Sequence, residues 1–273
     1  MYFEALGTVE VRAERDGEPR TPRPLKIRAL LALLLLREGH VVTSARLVEE
    51  LWSAEPPPTA RAALQGYVAK LRRHLAAVAE DGSDPVRTHP GGYRLDLTGH
   101  RLDARRFREL CGLARDAEAD GDPRAASGLL AEAEGLWRGA ALADVCGTAH
   151  LARAAAQLDE ARTAARARWF RLELALGRHT EIVGQLTELI GENPLHERLH
   201  GELMTALYLS GRTAEALMTY RRLHRLLAEE LGMEPGEDLK LLHAAILTRD
   251  PALGRAYPLE RRAPAPRPLD RAS

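Results

Sequence analysis

The chain has 273 residues, which is enough for two domains of ordinary size, each with its own core. Its 39 Lys and Arg balance its 39 Asp and Glu, so the net charge of zero excludes a uniformly basic protein. A binding site for a charged partner would have to come from a local cluster of charge. The longest apolar run covers residues 29–36 and is too short to span a bilayer, and the N-terminus has no secretory signal pattern. We therefore predict a cytoplasmic protein without a membrane partner.

The N-terminal segment alternates between strand and helix signals. Alternating apolar residues predict strands over residues 3–7 and 9–14, followed by a turn-rich stretch. An apolar run predicts a mostly buried helix over residues 25–37 that ends before a glycine. Either Thr43 or Ser44 is then placed to cap a second helix, which reaches about residue 52 before three consecutive prolines.

The third predicted helix, over residues 59–75, has two contrasting faces. Thr59 is its predicted cap, and four apolar side chains at helical spacing form one face: Leu64, Val68, Leu71 and Leu75. The opposite face carries small residues with long hydrogen-bond donors beside them. These are Ala62, Gly66, Ala69 and Arg73, flanked by Gln65, Lys70 and Arg72.

The same helix concentrates positive charge. Residues 56–79 contain four basic side chains and no acidic one. Phosphate is the partner that such a patch fits, which makes the helix a candidate for reading DNA. A solvated amphipathic helix without a partner is the alternative that this segment leaves open when it is taken alone.

Two short extended segments follow within the stretch VRTHPGGYRLDL and predict a β-hairpin. Strands, three helices and a terminal hairpin are the elements of a winged helix, whose third helix enters the major groove while the wing touches the backbone or minor groove. The sequence therefore predicts an α+β winged helix-turn-helix in residues 1–98.

The segment AALQGYVAKLRRHL with VRTHPGGYRL is similar to the winged-helix domain of OmpR-type response regulators. Residues 1 to about 250 resemble, more closely, the Streptomyces antibiotic regulatory protein (SARP) family. That resemblance implies an OmpR-like DNA-binding domain followed by a bacterial transcriptional activation domain.

The resemblance also implies which residues contact DNA. The candidate set is Ser44, Arg61, Gln65, Ala69, Lys70, Arg72, Arg73, Arg87, Thr88 and His89, the last three on the wing. Arg73 and Lys70 can donate to guanine and Gln65 can pair with adenine. Arg72, at the flank, is expected to meet phosphate. Ala62 departs from the arginine that many OmpR-type helices have there, so one family contact is missing.

From residue 102 the sequence changes to leucine and alanine at helical spacing, which predicts an all-α domain over residues 102–250. Gly177-Arg178 and Gly211-Arg212 lie 34 residues apart, and each precedes a predicted helix, as does Asp120-Gly121-Asp122. This interval is the tetratricopeptide period. The stretch PLHERLHGELMTALYLSGRTAEALMTYRRL also resembles the family's activation domain. The proline- and arginine-rich tail, residues 251–273, is predicted to be disordered.

His196-Glu197-Arg198-Leu199-His200 fits the H-E-x-x-H pattern of zinc peptidases. No third ligand is evident nearby, and the same residues fit a repeat helix, so we predict a structural role. Phosphate-binding, dinucleotide and serine-nucleophile motifs are absent. The sequence predicts no cofactor and no enzymatic activity.

These patterns lead to one principal hypothesis and two alternatives. The principal one is a nucleoid-associated activator of a secondary-metabolite gene cluster, in which a homodimer binds direct repeats near the −35 element and recruits RNA polymerase holoenzyme. A helical-repeat adaptor whose winged helix binds protein is the first alternative, and a zinc peptidase is the second.

Overall fold

A computed structural model describes residues 1–52, 56–79 and 81–256. The described part of the first 102 residues contains six short strands and three helices, and all the remaining described elements are helices. The strands are β1 (Tyr2–Glu4), β2 (Glu10–Arg12), β3 (Val42–Thr43), β4 (Val86–His89), β5 (Gly92–Leu95) and β6 (Arg101–Leu102). The first three helices are α1 (Leu25–Leu35), α2 (Ser44–Trp52) and α3 (Ala60–Val78).

The later helices are α4 (Asp103–Ala119), α5 (Pro123–Glu134), α6 (Ala149–Ala175), α7 (His179–Glu192), α8 (Glu197–Leu209), α9 (Thr213–Leu231), α10 (Glu237–Thr248) and α11 (Pro251–Ala256). None of the described helices combines the length and apolar character that a bilayer crossing requires. The predicted fold class, an α+β winged helix followed by an all-α repeat region, is confirmed.

Two small sheets frame the winged helix. In one, β1 lies between β2, with which it is antiparallel, and β6, with which it is parallel. In the other, β5 lies between β3 and β4, and both pairs are antiparallel. Helix α1 packs against α2, α3 and β5, and eight of its eleven residues are buried, as its continuous apolar sequence requires.

Several boundaries differ from the predictions for local reasons. Strands β1 and β2 are shorter than expected, and α1 ends at Leu35 because the chain turns through Glu38, whose φ is 42°. Thr59 precedes α3 as predicted, but its side chain makes no capping hydrogen bond. Its backbone is close to helical, with ψ at 8°, instead of the extended conformation that turns a cap side chain toward the helix amides.

The chain divides into two compact units that do not follow the boundary near residue 100 predicted from composition. The first unit contains residues 1–116 and 129–165, and the second contains residues 117–128 and those from 166 onward. The reason lies in the burial of side chains from α4 and residues 129–165. Phe107 and Trp137 meet edge to face at 5.3 Å, inside the same buried cluster as the winged-helix core.

Carboxylates from the later helical segment complete the N-terminal sheet of the first unit. Asp103 accepts hydrogen bonds from the amides of Ala5 and Leu6 at 2.9 Å. Asp144 accepts one from the amide of Val9 at 2.9 Å and pairs with Arg28 at 2.6 Å. Backbone amides after β1 would otherwise be buried without partners, so these acids stabilise the chain where the strand ends.

The second unit repeats one helix junction three times. Gly121, Gly177 and Gly211 all have φ near 80°, which only glycine adopts without strain. At each junction, the residue after the glycine donates its amide to the carbonyl five residues earlier, at 2.8 to 2.9 Å. This is the helix-ending geometry of a Schellman motif. The predicted helix starts after these three glycines are confirmed.

Helix α11 corrects the prediction of disorder from residue 251. Asp250 accepts a hydrogen bond from the amide of Ala252 at 2.8 Å, so it caps the helix, and Pro251 follows it at the first helical position. Leu253 then packs against the core of the second unit. The rest of the predicted disordered tail, residues 257–273, lies outside the described residues.

We expect Asp144→Ala to loosen the first unit, because it removes both the acceptor for Val9 and the partner of Arg28. The loss should be about 1–3 kcal/mol in the free energy of unfolding. Deuterium exchange should rise in the peptides that contain β1, β2 and α1. Asp16→Ala, which removes an exposed acid in the turn after β2, serves as the control. Equal exchange in the two variants would contradict the role of Asp144.

Glu202 in α8 creates a pH-dependent stability in the second unit. Its side chain is buried and neither carboxylate oxygen accepts a hydrogen bond, although Arg198 Nε lies 3.5 Å and Arg171 Nε 3.9 Å from Oε1. Burial raises the pKa of the Glu202 carboxyl from 4.5 to about 8, because desolvation outweighs the attraction of the two arginines.

The folded protein therefore holds a proton that the unfolded chain has lost between about pH 4.5 and 8. Stability should fall across this window by an amount on the order of a few kcal/mol and level off above it. Glu202→Gln should remove this decline and be more stable than the unsubstituted protein at pH 8. Exposed Glu188→Gln is the control, and thermal unfolding at a series of pH values is the measurement. Parallel curves for all three proteins would show that Glu202 titrates normally.

Candidate nucleic-acid interface

The two faces of α3 lie as its sequence predicts. Leu64, Val68, Leu71 and Leu75 are all buried, and each is at most 2% exposed. On the opposite side, Ala62, Gly66, Ala69 and Arg73 are exposed. A helix whose outer face has small residues at its centre can approach a groove closely with its backbone.

Helix α2 holds the first half of α3 in place. The ring of Trp52, at the end of α2, stacks on Tyr67 of α3 with centroids 5.7 Å apart and planes 18° apart. Lys26 of α1 lies over the Trp52 ring, with its Nζ 5.6 Å from the ring centre. Tyr67 thus has a packing role, and the stacked pair joins α2 to α3.

The N-terminus of α2 contacts both α3 and the wing, which is the hairpin formed by β4 and β5. Thr43 Oγ1 accepts a hydrogen bond from the amide of Arg46 at 3.2 Å, so Thr43 is the residue that caps α2. The amide of Ser44 donates to the carbonyl of Gly91 in the wing turn at 2.8 Å. These contacts tie the wing tip to the start of α2.

A cavity of about 320 Å³ opens at this junction. Its lining includes three of the predicted DNA-contacting residues, Ser44, Arg61 and Gln65, with Thr43, Gly91 and Tyr93 beside them. The structure therefore brings together residues from α2, α3 and the wing that are separated by up to 49 positions in the sequence.

The wing depends on a glycine. In the pairing of β3 with β5, Gly92 lies opposite Thr43, and a Cβ added to Gly92 would lie 2.2 Å from the carbonyl oxygen of Val42. Gly91, one residue earlier, has φ at 81° and forms the turn. The Gly-Gly pair in the sequence thus has two separate physical causes, the turn and the close approach of two backbones.

The predicted wing residues are in or beside the hairpin and differ in exposure. Arg87 and Thr88 are exposed and His89 is half-buried. Arg87 Nε lies 4.0 Å from Asp96 Oδ2, a long and exposed ion pair that leaves the guanidinium free to move to another anion.

The exposed donors of α3 have no partner among the residues that the structure describes. Within residues 1–52, 56–79 and 81–256, no hydrogen bond or ion pair engages the side chains of Arg61, Gln65, Lys70 or Arg73. The pattern of exposure therefore leaves three cations and one amide available on a single helix. Ala69, also in the predicted set, lies exposed between them and offers a small apolar surface.

Arg72 differs from its neighbours because its guanidinium turns toward the wing. Its Nη2 donates to the carbonyl of Val86 at 3.0 Å and to Thr88 Oγ1 at 2.7 Å, and its Nε lies 3.1 Å from Asp84 Oδ2. The sequence analysis predicted a phosphate contact for Arg72 and did not identify Asp84 as its partner. The available signal was the position of Asp84 two residues before a strand, which is typical of a side chain that caps a turn.

The H-E-x-x-H residues each have a structural role. His196 precedes α8, while Glu197 accepts a hydrogen bond from the amide of Gly236 at 2.6 Å. His200 is 2% exposed, its Nε2 lies 2.9 Å from the carbonyl oxygen of Pro194, and burial lowers its pKa. Across the described part of the chain, no group of three or more His, Cys, Asp or Glu side chains is arranged to hold a metal ion.

Comparisons with known proteins agree with this architecture. Residues 23–95 match the family described as "Transcriptional regulatory protein, C terminal", and residues 102–247 match "Bacterial transcriptional activator domain". The chain is 36% identical over 263 residues to the regulatory protein DnrI of Streptomyces peucetius, an alignment that covers 94% of this chain and 96% of DnrI. The chain belongs to the SARP family of transcriptional regulators.

Other SARP-family relatives are longer. The chain is 40% identical over 255 residues to the regulatory protein AfsR of Streptomyces griseus, covering 93% of this chain but only 25% of AfsR. Among solved structures, Mycobacterium tuberculosis EmbR in complex with a low-affinity phosphopeptide is similar, with a TM-score of 0.84 and 34% identity. That similarity covers 93% of this chain and 67% of EmbR.

We expect Gly92→Ala to separate the wing from β3, because the added methyl group would meet the Val42 carbonyl, which is rigid backbone. The loss of stability should reach the upper end of the about 1–3 kcal/mol that overpacking costs. Gly184→Ala in α7, where a Cβ has open space, is the control and should be neutral or slightly stabilising. Equal thermal unfolding temperatures in both variants would show that the strands can move apart without cost.

Proposed function

We propose that this SARP-family protein is a sequence-specific DNA-binding transcriptional activator. The observation that carries the proposal is the exposed face of α3, where Arg61, Lys70 and Arg73 have no acidic partner among the described residues. Unpaired cations beside small side chains suit a helix that enters the major groove. The activity is binding and not catalysis, in keeping with relatives that are named as regulators.

Eight of the ten predicted residues have a distinct role in this proposal. Arg73 and Lys70 donate to guanine O6 and N7, and Gln65 pairs with adenine. Ser44 and Arg61 line the cavity between α2, α3 and the wing, where a backbone phosphate fits beside them. Arg87 and His89 reach the backbone or minor groove from the wing, and Thr88 supports them.

The regulator acts as a homodimer on DNA, with both copies on direct repeats near the −35 element. Half-sites about 10–11 bp apart would place two recognition helices on the same face of the duplex. Residues 102–247 then contact the second protomer and RNA polymerase holoenzyme. The SARP family assignment suggests a secondary-metabolite gene cluster as the target, and the protein acts on the nucleoid in the cytoplasm.

The second candidate function is a helical-repeat adaptor whose winged helix binds protein. Residues 1–97 contain 14 basic and 13 acidic side chains, which is a weak net field for a DNA-binding domain. The ion pairs of the domain argue for DNA, however. Arg12 and Arg46 are paired with glutamates, whereas Arg61, Lys70 and Arg73 of α3 have no acidic partner among the described residues.

Footprinting on promoters of the surrounding gene cluster tests the two candidates. We expect a protected direct repeat, with affinity that falls as salt rises. Arg73→Ala should relax specificity at one base position by about 1–3 kcal/mol. Arg15→Ala, which removes the same charge from the turn after β2, is the control and should leave the footprint unchanged.

Two results would contradict the proposal. Equal weakening of specific and random DNA by Arg73→Ala would exclude a base contact by that residue. Absence of protection at any salt concentration, with the protein folded, would favour the adaptor.

A further inference from the structure

Arg72 closes a small network between the recognition helix and the wing. Asp84 stands at its centre: Oδ1 accepts the amide of Val86 at 2.9 Å, while Oδ2 lies 3.1 Å from Arg72 Nε. Arg72 Nη2 continues along β4 to the Val86 carbonyl and the Thr88 hydroxyl. One guanidinium therefore contacts Asp84, just before β4, and Val86 and Thr88 within it.

This geometry leaves Arg72 poorly placed as a simple phosphate contact. Both of its Nη2 hydrogens have protein acceptors, and its Nε donates to the Val86 carbonyl at 3.3 Å and lies 3.1 Å from Asp84 Oδ2. Of its three nitrogens, Nη1 alone has no acceptor among the described residues. An anion as close as Asp84 also offsets the attraction between the guanidinium and DNA phosphate. Arg61, Lys70 and Arg73 on the same helix have no such acidic neighbour among the described residues.

We propose that Arg72 is a positioning residue that, together with Asp84, holds the wing at a fixed distance from α3 so that both elements meet the duplex together. The proposal rests on the DNA-binding function above and deepens it. Without this network, β4 would keep its pairing with β5, but the hairpin could move relative to α3. Binding would then have to order the wing at each encounter, and that ordering lowers affinity.

The two roles for Arg72 predict opposite results for its partner. Asp84→Asn removes a negative charge beside the DNA surface, so simple electrostatics predicts tighter binding. The asparagine carbonyl can still accept from Val86, but its amide group would then face Arg72, donor to donor. Under the positioning role, Asp84→Asn therefore weakens binding to the specific site, and we expect a loss of about 5- to 10-fold.

Asp81→Asn is the matched control. Asp81 accepts the amide of Ser83 at 2.9 Å, in a turn of the same kind three residues earlier, and no ion pair joins it to Arg72 among the described residues. Asp81→Asn removes the same charge from the same loop as Asp84→Asn, so its effect on affinity measures the general electrostatic contribution. We expect no loss of specific affinity from this variant.

Two substitutions of Arg72 complete the test. Arg72→Lys keeps the positive charge but cannot reach three acceptors with a planar fork, so it should weaken binding nearly as much as Arg72→Ala. The slope of log affinity against log salt should stay unchanged in both, whereas loss of a phosphate contact would reduce it by about 0.9 in the alanine variant. Circular dichroism and thermal unfolding confirm that each variant is folded.

The outcomes separate this inference from the proposed function. Weaker specific binding by folded Asp84→Asn, with an unchanged salt slope, supports it. Tighter or equal binding by Asp84→Asn, or full affinity in Arg72→Lys with a reduced salt slope in Arg72→Ala, overturns it while leaving the activator function intact. If the unsubstituted protein binds no DNA, the proposed function fails, and this role for Arg72 fails with it.

Discussion

Burial of one stripe of α3 fixes the orientation on which the rest of the winged helix depends. Leu64, Val68, Leu71 and Leu75 pack into the core with α1 and α2, and their burial leaves α3 only one outer face. Complete burial of a leucine or valine contributes roughly 1.5–3 kcal/mol, so rotation of the helix by half a turn would be prohibitively unfavourable. The polar side chains gain their exposure as a consequence of this packing.

The distribution of ion pairs explains how a chain of zero net charge can present a basic surface. Acidic residues of the first unit are engaged at particular places: Glu4 and Glu10 with Arg12, Asp144 with Arg28, and Asp84 with Arg72. Exposed ion pairs add little stability individually. Their effect here is to compensate acidic residues away from the outer face of α3, so the local field at α3 differs from the field that composition describes.

In the first compact unit, the boundary between the two family matches differs from the boundary set by side-chain packing. Family matches separate the chain near residue 100, whereas buried side chains of α4 and residues 129–165 belong to the winged-helix core. Asp103 and Asp144 add to this packing, because they accept amides that the short N-terminal strands leave unpaired.

The sequence by itself determined the elements whose causes are local: the amphipathic α3, the Gly-Gly turn of the wing and the glycine-ended repeat helices. Hydrophobic periodicity and turn-forming residues act over a few positions, so they can be recognised in the sequence alone. Only the tertiary structure decided which residues partner one another. Arg72 and Asp84 lie 12 positions apart, and Val9 and Asp144 lie 135 apart. Such pairs form because packing brings their elements together, and no local pattern specifies the partner of a charged side chain.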